Sequence, residues 1–231
     1  NKLDKQMSNL KKSLGNKNAA PKPVSYKPVE IAKPETKKAA SEIDEAQSLY
    51  PLLDISEEKI GSGKFGSAFL ATDKNNEFVV VKRTKSLEEK WFSDMQKANP
   101  HPSVANVYEV KEGSKMFESY ISKEYLDTNY EFSDKIYWYL SDASPYKLEN
   151  AFEGAKKKGD LNTVELKELK QLVETIMSIE SHFGVTVDSG KGNWGFSKVD
   201  GRLKLLDIGG NVNKKQYESF MSTFKETKKA E

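Results

Sequence analysis

The sequence predicts an α+β chain in which a β-rich stretch precedes a mostly helical one, both following an extended Lys/Pro-rich arm. Three observations carry that expectation. Residues 1–40 hold ten lysines against three acids, and four of the eight prolines. Such a composition buries too little apolar surface to offset its ordering entropy. From about Glu45 the composition turns globular, with β-branched and aromatic runs such as "FVVVKR" and "MFESYISKEYL" bounded by the turn formers "DKNNE" and "KEGS". After about Leu126, apolar residues recur at helical spacing as far as Gly184, followed by short strands around 194–206 and a polar tail. The expected divisions are an arm at 1–45, a β-rich part at 46–127 and a helical part at 128–231.

Each element has its own signal. In the arm, Leu3, Met7, Leu10 and Leu14 are spaced 4, 3 and 4 apart, which predicts a short amphipathic helix at 3–14 able to dock or oligomerise. Residues 15–45 read as extended linker, and the lysines suit a solvated tail or a weak anchor to phosphate-rich partners. "SLEEKWFSDMQKA" predicts a helix between the strands. The clearest helix is "NTVELKELKQLVETIMSIESHF", where Leu166, Leu169, Leu172, Val173, Ile176, Ile179 or Glu180, and Phe183 fall largely on one face. Asn162 with Glu165 suits its N-cap. "NKKQYESFMSTFKETKKAE" supplies one last helix, with Tyr217, Phe220 and Phe224 on one face.

Bulk numbers exclude several functions. A net charge of +2 demands neither nucleic acid nor an acidic membrane, and no specific nucleic-acid motif is present. The absence of cysteine excludes disulfides and thiolate metal sites and permits a reducing compartment. No apolar run approaches the ~20 residues that span a bilayer.

The stretch "EKIGSGKFGSAFLATDKNNEFVVVKR" places Gly61, Gly63 and Gly66 ahead of an apolar run ending in Lys82. A dinucleotide fingerprint needs a helix directly after the glycines and an acid about 20 residues on. Here strand, turn and strand follow instead. A P-loop needs G-K-[S/T] at its end, which is also missing. Strand, glycine loop, strand, turn and strand ending in lysine resembles the small lobe of protein kinases. A second region strengthens the resemblance. In "HFGVTVDSGKGNWGFSKVDGRLKLLDIGG", Asp188 and Asn193 stand in the spacing D-x-x-x-x-N, and Asp207-Ile208-Gly209 is similar to D-F-G. Between them an Asp200-Gly201 turn joins two apolar runs.

The resemblance covers about residues 55–210 and implies a bilobal protein-kinase-like fold with a truncated helical C-lobe, binding ATP and Mg²⁺. Gly61, Gly63 and Gly66 would cover the phosphates and Lys82 would hold them. Lys82 would be oriented by Glu89, or by Glu88 as second choice. Asp188 would be the base, and Asn193 and Asp207 would hold the metal. "HPSVANVYEV" and "ISKEYLD" resemble the fourth strand and the hinge, with Glu124, Tyr125 and Leu126 as hinge residues. Lys123 falls where a buried gatekeeper usually sits.

The sequence departs from the family in places. Thr186 replaces the loop-bracing group two before Asp188. Gly190 replaces the lysine two after it, leaving Lys191 to reach the γ-phosphate. Only 24 residues follow Asp207, with no A-P-E and no further set of large-lobe helices. The glycine-flanked form of this loop also resembles that of small-molecule phosphotransferases and of short kinases encoded by tailed bacteriophages, and the latter resemblance implies the host cytoplasm or a virion as location. The implied activity is transfer of the γ-phosphate to protein serine or threonine by a minimal kinase. The alternative is an inactive kinase-like module in a viral or phage assembly, with the basic arm contacting a substrate or assembly partner. Small-molecule phosphorylation ranks last, because its substrate pocket needs helices this chain lacks.

Overall fold

Apolar residues on both faces of one sheet decide the architecture. In the computed structural model, which describes residues 36–129, 133–142, 148–188, 190–207 and 212–230, strands β1 (Asp54–Gly63), β2 (Gly66–Thr72), β3 (Phe78–Thr84), β4 (Val107–Glu112) and β5 (Ser119–Glu124) form an antiparallel sheet. Its order is β1-β2-β3-β5-β4. The described fold belongs to the compact unit Lys37–Glu231. β3 buries Val79, Val80 and Val81 in succession, as a central strand covered on both sides does. Asn76 carries the left-handed φ of the "DKNNE" turn. The strand expected from Met116 starts later, at Ser119, because Phe117 also takes a left-handed φ and closes a turn in which the Gly113 amide donates to the Glu118 carbonyl.

Helix α1 (Thr36–Leu49) covers one face of the sheet. Ala46 and Tyr50 pack there with Ile55, Phe69, Val81 and Tyr120, and the Tyr50 hydroxyl donates to the Tyr120 carbonyl at 2.7 Å. Residues 36–45, expected as the end of the extended arm, are thus helical. The lysine-rich average hides a helical repeat of Glu42, Ile43, Ala46 and Leu49. Glu42 is buried and accepts from Lys59 at 3.2 Å and Arg83 at 3.0 Å. The helix expected at 3–14 and the linker at 15–35 lie outside the described residues.

On the other face, α2 (Leu87–Ala98) follows β3 almost at once, with Ser86 as its N-cap. Phe92 and Met95 turn into a second core shared with α3 (Asp134–Asp142), α4 (Leu148–Lys158) and α5 (Thr163–Phe183). α5 matches its sequence signal. Leu169, Leu172, Val173, Ile176, Ile179 and Phe183 are buried, and Asn162 with Glu165 closes a capping box. Glu180 instead accepts the Val187 amide at 3.0 Å, so the end of α5 sets the loop that carries Asp188. Beyond that loop, β6 (Leu126–Asp127), β7 (Trp194–Ser197) and β8 (Leu203–Leu205) form a small sheet, with Gly201 supplying the left-handed turn of its hairpin. The last helix, α6 (Lys214–Ala230), lays Tyr217 on Trp91 of α2 at 5.7 Å and Phe220 against Phe183 at 5.5 Å. The result is a mixed α/β fold with six helices among the described residues. No helix among them is long and apolar enough to cross a membrane.

The chain's two histidines meet where α2, α5 and α6 converge. His101 is buried, its ring 5.2 Å from that of His182. Its Nδ1 accepts the Ser103 amide at 3.1 Å and its Nε2 faces the Ser178 hydroxyl at 3.0 Å, a pattern only the neutral ring satisfies. Burial, and then the charge of His182, push its pKa below the ordinary 6.5. The unfolded chain therefore takes up this proton before the folded one does, so stability falls as pH drops through about 6.5 and levels off below the folded value. Urea midpoints between pH 7.5 and 5.5 test this. The wild type loses stability across that window, and His101→Gln loses less.

Candidate functional site

β3 delivers Lys82 to the underside of the sheet, in register with Ala68 of β2 and Ile121 of β5. The short link from β3 to α2 brings Glu89 back to it, because the Ser86 side chain accepts the Glu89 amide at 3.3 Å and fixes the first turn of the helix. Glu89 is buried and forms an ion pair with Lys82. The second carboxylate comes from far along the chain. Lys82 Nζ donates to Asp207 Oδ2 at 2.6 Å across 125 positions of sequence. Burial alone would lower the Lys82 pKa, but the carboxylates of Glu89 and Asp207 outweigh it and hold the ammonium above its ordinary value.

These three groups stand at the end of a cleft of about 640 Å³. Its roof is Ile60, Gly61, Gly63, Ala68 and Val80, and its far wall includes Lys123, Tyr125, Leu126, Asn193, Leu206 and Asp207. Lys123 is buried, and its Nζ donates to the Leu206 carbonyl at 3.0 Å. Burial, and then the neighbouring Lys82 charge, push its pKa below the ordinary lysine range, with Glu89 and Asp207 offsetting only part. The Leu206 amide donates to the Asn193 carbonyl at 2.6 Å. Both backbone groups of the residue before Asp207 are therefore held, and Asp207 is placed by its neighbours.

The glycines divide into two kinds. A Cβ on Gly66 would lie 1.8 Å from the Arg83 carbonyl oxygen, inside the β2–β3 ladder. A Cβ on Gly61 would meet only Ala68 at an ordinary 3.8 Å, and one on Gly63 would meet nothing within 4 Å. Neither has a positive φ. The fold explains Gly66; it gives no reason for Gly61 or Gly63, which both line the cleft.

The remaining expected residues scatter around this centre. Asn193 lines the cleft, its Nδ2 donating to the Asp188 carbonyl at 3.1 Å. That leaves its Oδ1 as the atom for a cation. Asp188 is exposed, one carboxylate oxygen accepting the Gly190 amide at 3.0 Å, and it is not part of the cleft wall. Lys191 belongs to a short 3₁₀ turn, Lys191–Asn193; its side chain lies outside the described residues. Glu88 lies at the cleft mouth and accepts from Ser86 at 3.2 Å, leaving Glu89 as the partner of Lys82.

The hinge residues also part company. Leu126 lines the cleft and pairs with Ser197 of β7. A Cβ on Gly195 would come within 2.8 Å of the Leu126 Cβ, so a glycine is what lets this strand lie on β7. The Glu124 side chain turns to the opposite side and lines a separate outer groove. There it pairs with Lys204 at 2.9 Å, accepts the Asn106 amide at 3.1 Å, and takes a hydrogen bond from the Ser197 hydroxyl. Sequence reasoning missed Lys204 and Ser197. The only local sign was a lysine set between Leu203 and Leu205.

No protein-family model matches the chain, and no curated protein matches it in sequence. Among solved structures, the crystal structure of Rad53 1-466 in complex with AMP-PNP matches with a TM-score of 0.41 and 14% identity, over 70% of this chain. The match spans 39% of that chain's length.

Proposed function

We propose that the cleft binds ATP and that the chain is a minimal protein kinase, transferring the γ-phosphate to serine or threonine of a protein. One observation carries the reading: Lys82 on the central strand, buttressed by Glu89 and joined to Asp207, at the end of a glycine-roofed cleft. A lysine held in this way presents a fixed positive charge to phosphate oxygens. Gly61 and Gly63 let the backbone of the β1–β2 hairpin approach those oxygens, which accounts for glycines the fold itself does not require. Asp207 and the Asn193 Oδ1 would hold Mg²⁺, an oxygen-seeking ion that takes a few protein ligands and completes its shell with water and phosphate. Both are oxygen donors on the wall of the same cleft, the donor chemistry this ion takes. When bound, the ion supplies charge neutralisation between phosphates. The Asp188 carboxylate orients a substrate hydroxyl and accepts its proton.

A second reading, a kinase-like module without transfer, is favoured by Asp188 standing outside the cleft wall. One experiment separates the two. The protein is incubated with Mg²⁺ and radiolabelled ATP beside Lys82→Met and Asp207→Ala, with calorimetric ATP binding in parallel. The kinase reading expects label on the protein or on a generic basic protein, reduced at least about a hundredfold in both variants. Binding without label supports the second reading as a nucleotide-binding module, and the absence of both binding and label overturns the kinase reading and leaves the second as a structural module.

A further inference from the structure

We propose that Lys123 is a second phosphate-binding cation of this cleft, and that with it the cleft holds a nucleoside triphosphate without a divalent metal. This rests on the nucleotide reading above and adds to it.

Lys123 is only 7% exposed, yet it belongs to the cleft wall. An ammonium has three N–H donors. Among the described residues Lys123 has one acceptor, the Leu206 carbonyl at 3.0 Å. The same fold satisfies its other buried lysine far better: Lys204 meets both oxygens of Glu124, at 3.1 and 2.9 Å, and Asp200 at 3.1 Å. A buried charge left short of acceptors is costly, and here the donors without partners among the described residues belong to a side chain that lines an open cleft. A ligand rich in oxygen acceptors answers that shortage.

The position selects which part of the ligand. The Lys123 amine holds the residue just before Asp207, and its charge is felt together with those of Lys82, Glu89 and Asp207. Of these, Lys82 is the group assigned to the phosphates, and Glu89 and Asp207 are its partners. Charge makes the same point. Glu89 and Asp207 cancel Lys82 and leave one negative charge over, so a polyphosphate would meet net repulsion until a metal arrived. Lys123 brings the four groups to neutrality, a task that otherwise falls to the metal.

The test is ATP affinity by calorimetry in EDTA and in excess Mg²⁺, for wild type, Lys123→Met and Lys123→Arg, with a thermal melt of each. The wild type is expected to bind ATP in EDTA. Lys123→Met, whose uncharged side chain fills the same space, loses about ten- to a hundredfold of that metal-free affinity and less of the affinity in Mg²⁺. Lys123→Arg keeps the larger part. Wild-type binding that vanishes in EDTA while persisting in Mg²⁺ overturns the proposal, even if Lys123→Met fails to fold. So does a folded Lys123→Met that binds like wild type in EDTA. Absence of nucleotide binding in every condition is a different result, because it removes the nucleotide reading itself.

Discussion

Gly66→Ala is expected to abolish the fold, whereas Gly63→Ala leaves the fold intact and removes ligand binding. The added carbon at Gly66 would sit 1.8 Å from the Arg83 carbonyl oxygen, 2.9 Å from its carbon and 3.1 Å from the Thr84 Cα. All three are backbone atoms of β3, and no side-chain rotation relieves them. The end of β2 would have to leave β3, where Gly66 pairs with Thr84 and Ser67 with Arg83. Arg83 is buried between Glu42 and Glu118, so the disturbance reaches a buried ion network that cannot lose one member cheaply. Overpacking and network damage together should exceed about 3 kcal/mol. At Gly63 the same carbon meets nothing within 4 Å, and alanine in a strand is favoured over glycine by about 0.5–1 kcal/mol. Melting curves and ATP titration of both variants separate the roles. A stable Gly66→Ala would show that β2 and β3 part more easily than their ladder implies. A Gly63→Ala that still binds ATP at wild-type strength would remove the case for a phosphate-covering hairpin.

The two glycines also show where a sequence can be read and where it cannot. Gly61, Gly63 and Gly66 are equivalent as letters, and only the path of the Arg83 carbonyl distinguishes the third. The resemblance of two sequence regions to protein kinases is what names Lys82, Glu89, Asn193 and Asp207 together, and the fold joins Lys82 to Glu89 and Asp207 and sets Asn193 on the same cleft. α5 was legible because six buried apolar residues recur at helical spacing behind a capping box. α1 was not, since a composition averaged over the lysine-rich arm conceals a helix whose buried side is only one residue in three or four wide. The placement of Asp188 outside the cleft wall and of Glu124 on the outer side of the hinge depends on side-chain direction. Neighbouring residues of a strand face opposite ways, so Lys123 enters the cleft and Glu124 leaves it, a division that grouping Glu124 with Leu126 as hinge residues passes over.

Glu124→Ala should be the most damaging side-chain truncation outside the cleft, at about 3–5 kcal/mol. Glu124 and Lys204 are 2% and 3% exposed at their side chains. The carboxylate also takes the Asn106 amide and the Ser197 hydroxyl, so a single group ties β5, the turn before β4, and the β7–β8 hairpin together. Its removal leaves the Lys204 ammonium buried with Asp200, whose side chain is 35% exposed, as its one remaining ion-pair partner among the described residues, and leaves the Asn106 amide without its acceptor. Lys204→Met is milder, because the carboxylate keeps its two uncharged donors. In the double variant Glu124→Leu/Lys204→Met both charges go at once, and burying apolar atoms there recovers part of the loss, as replacing a buried pair often does. Urea denaturation of Glu124→Leu, Lys204→Met and the double variant gives the coupling between the sites, expected to reach about 2–3 kcal/mol for groups in direct contact. A Glu124→Ala loss below about 1 kcal/mol would mean the pair behaves as a solvated surface bridge and that β7 is held on the hinge by other means. Should the double variant also retain ATP binding, Glu124 serves to anchor the β5–β6 connection and contributes nothing to the ligand.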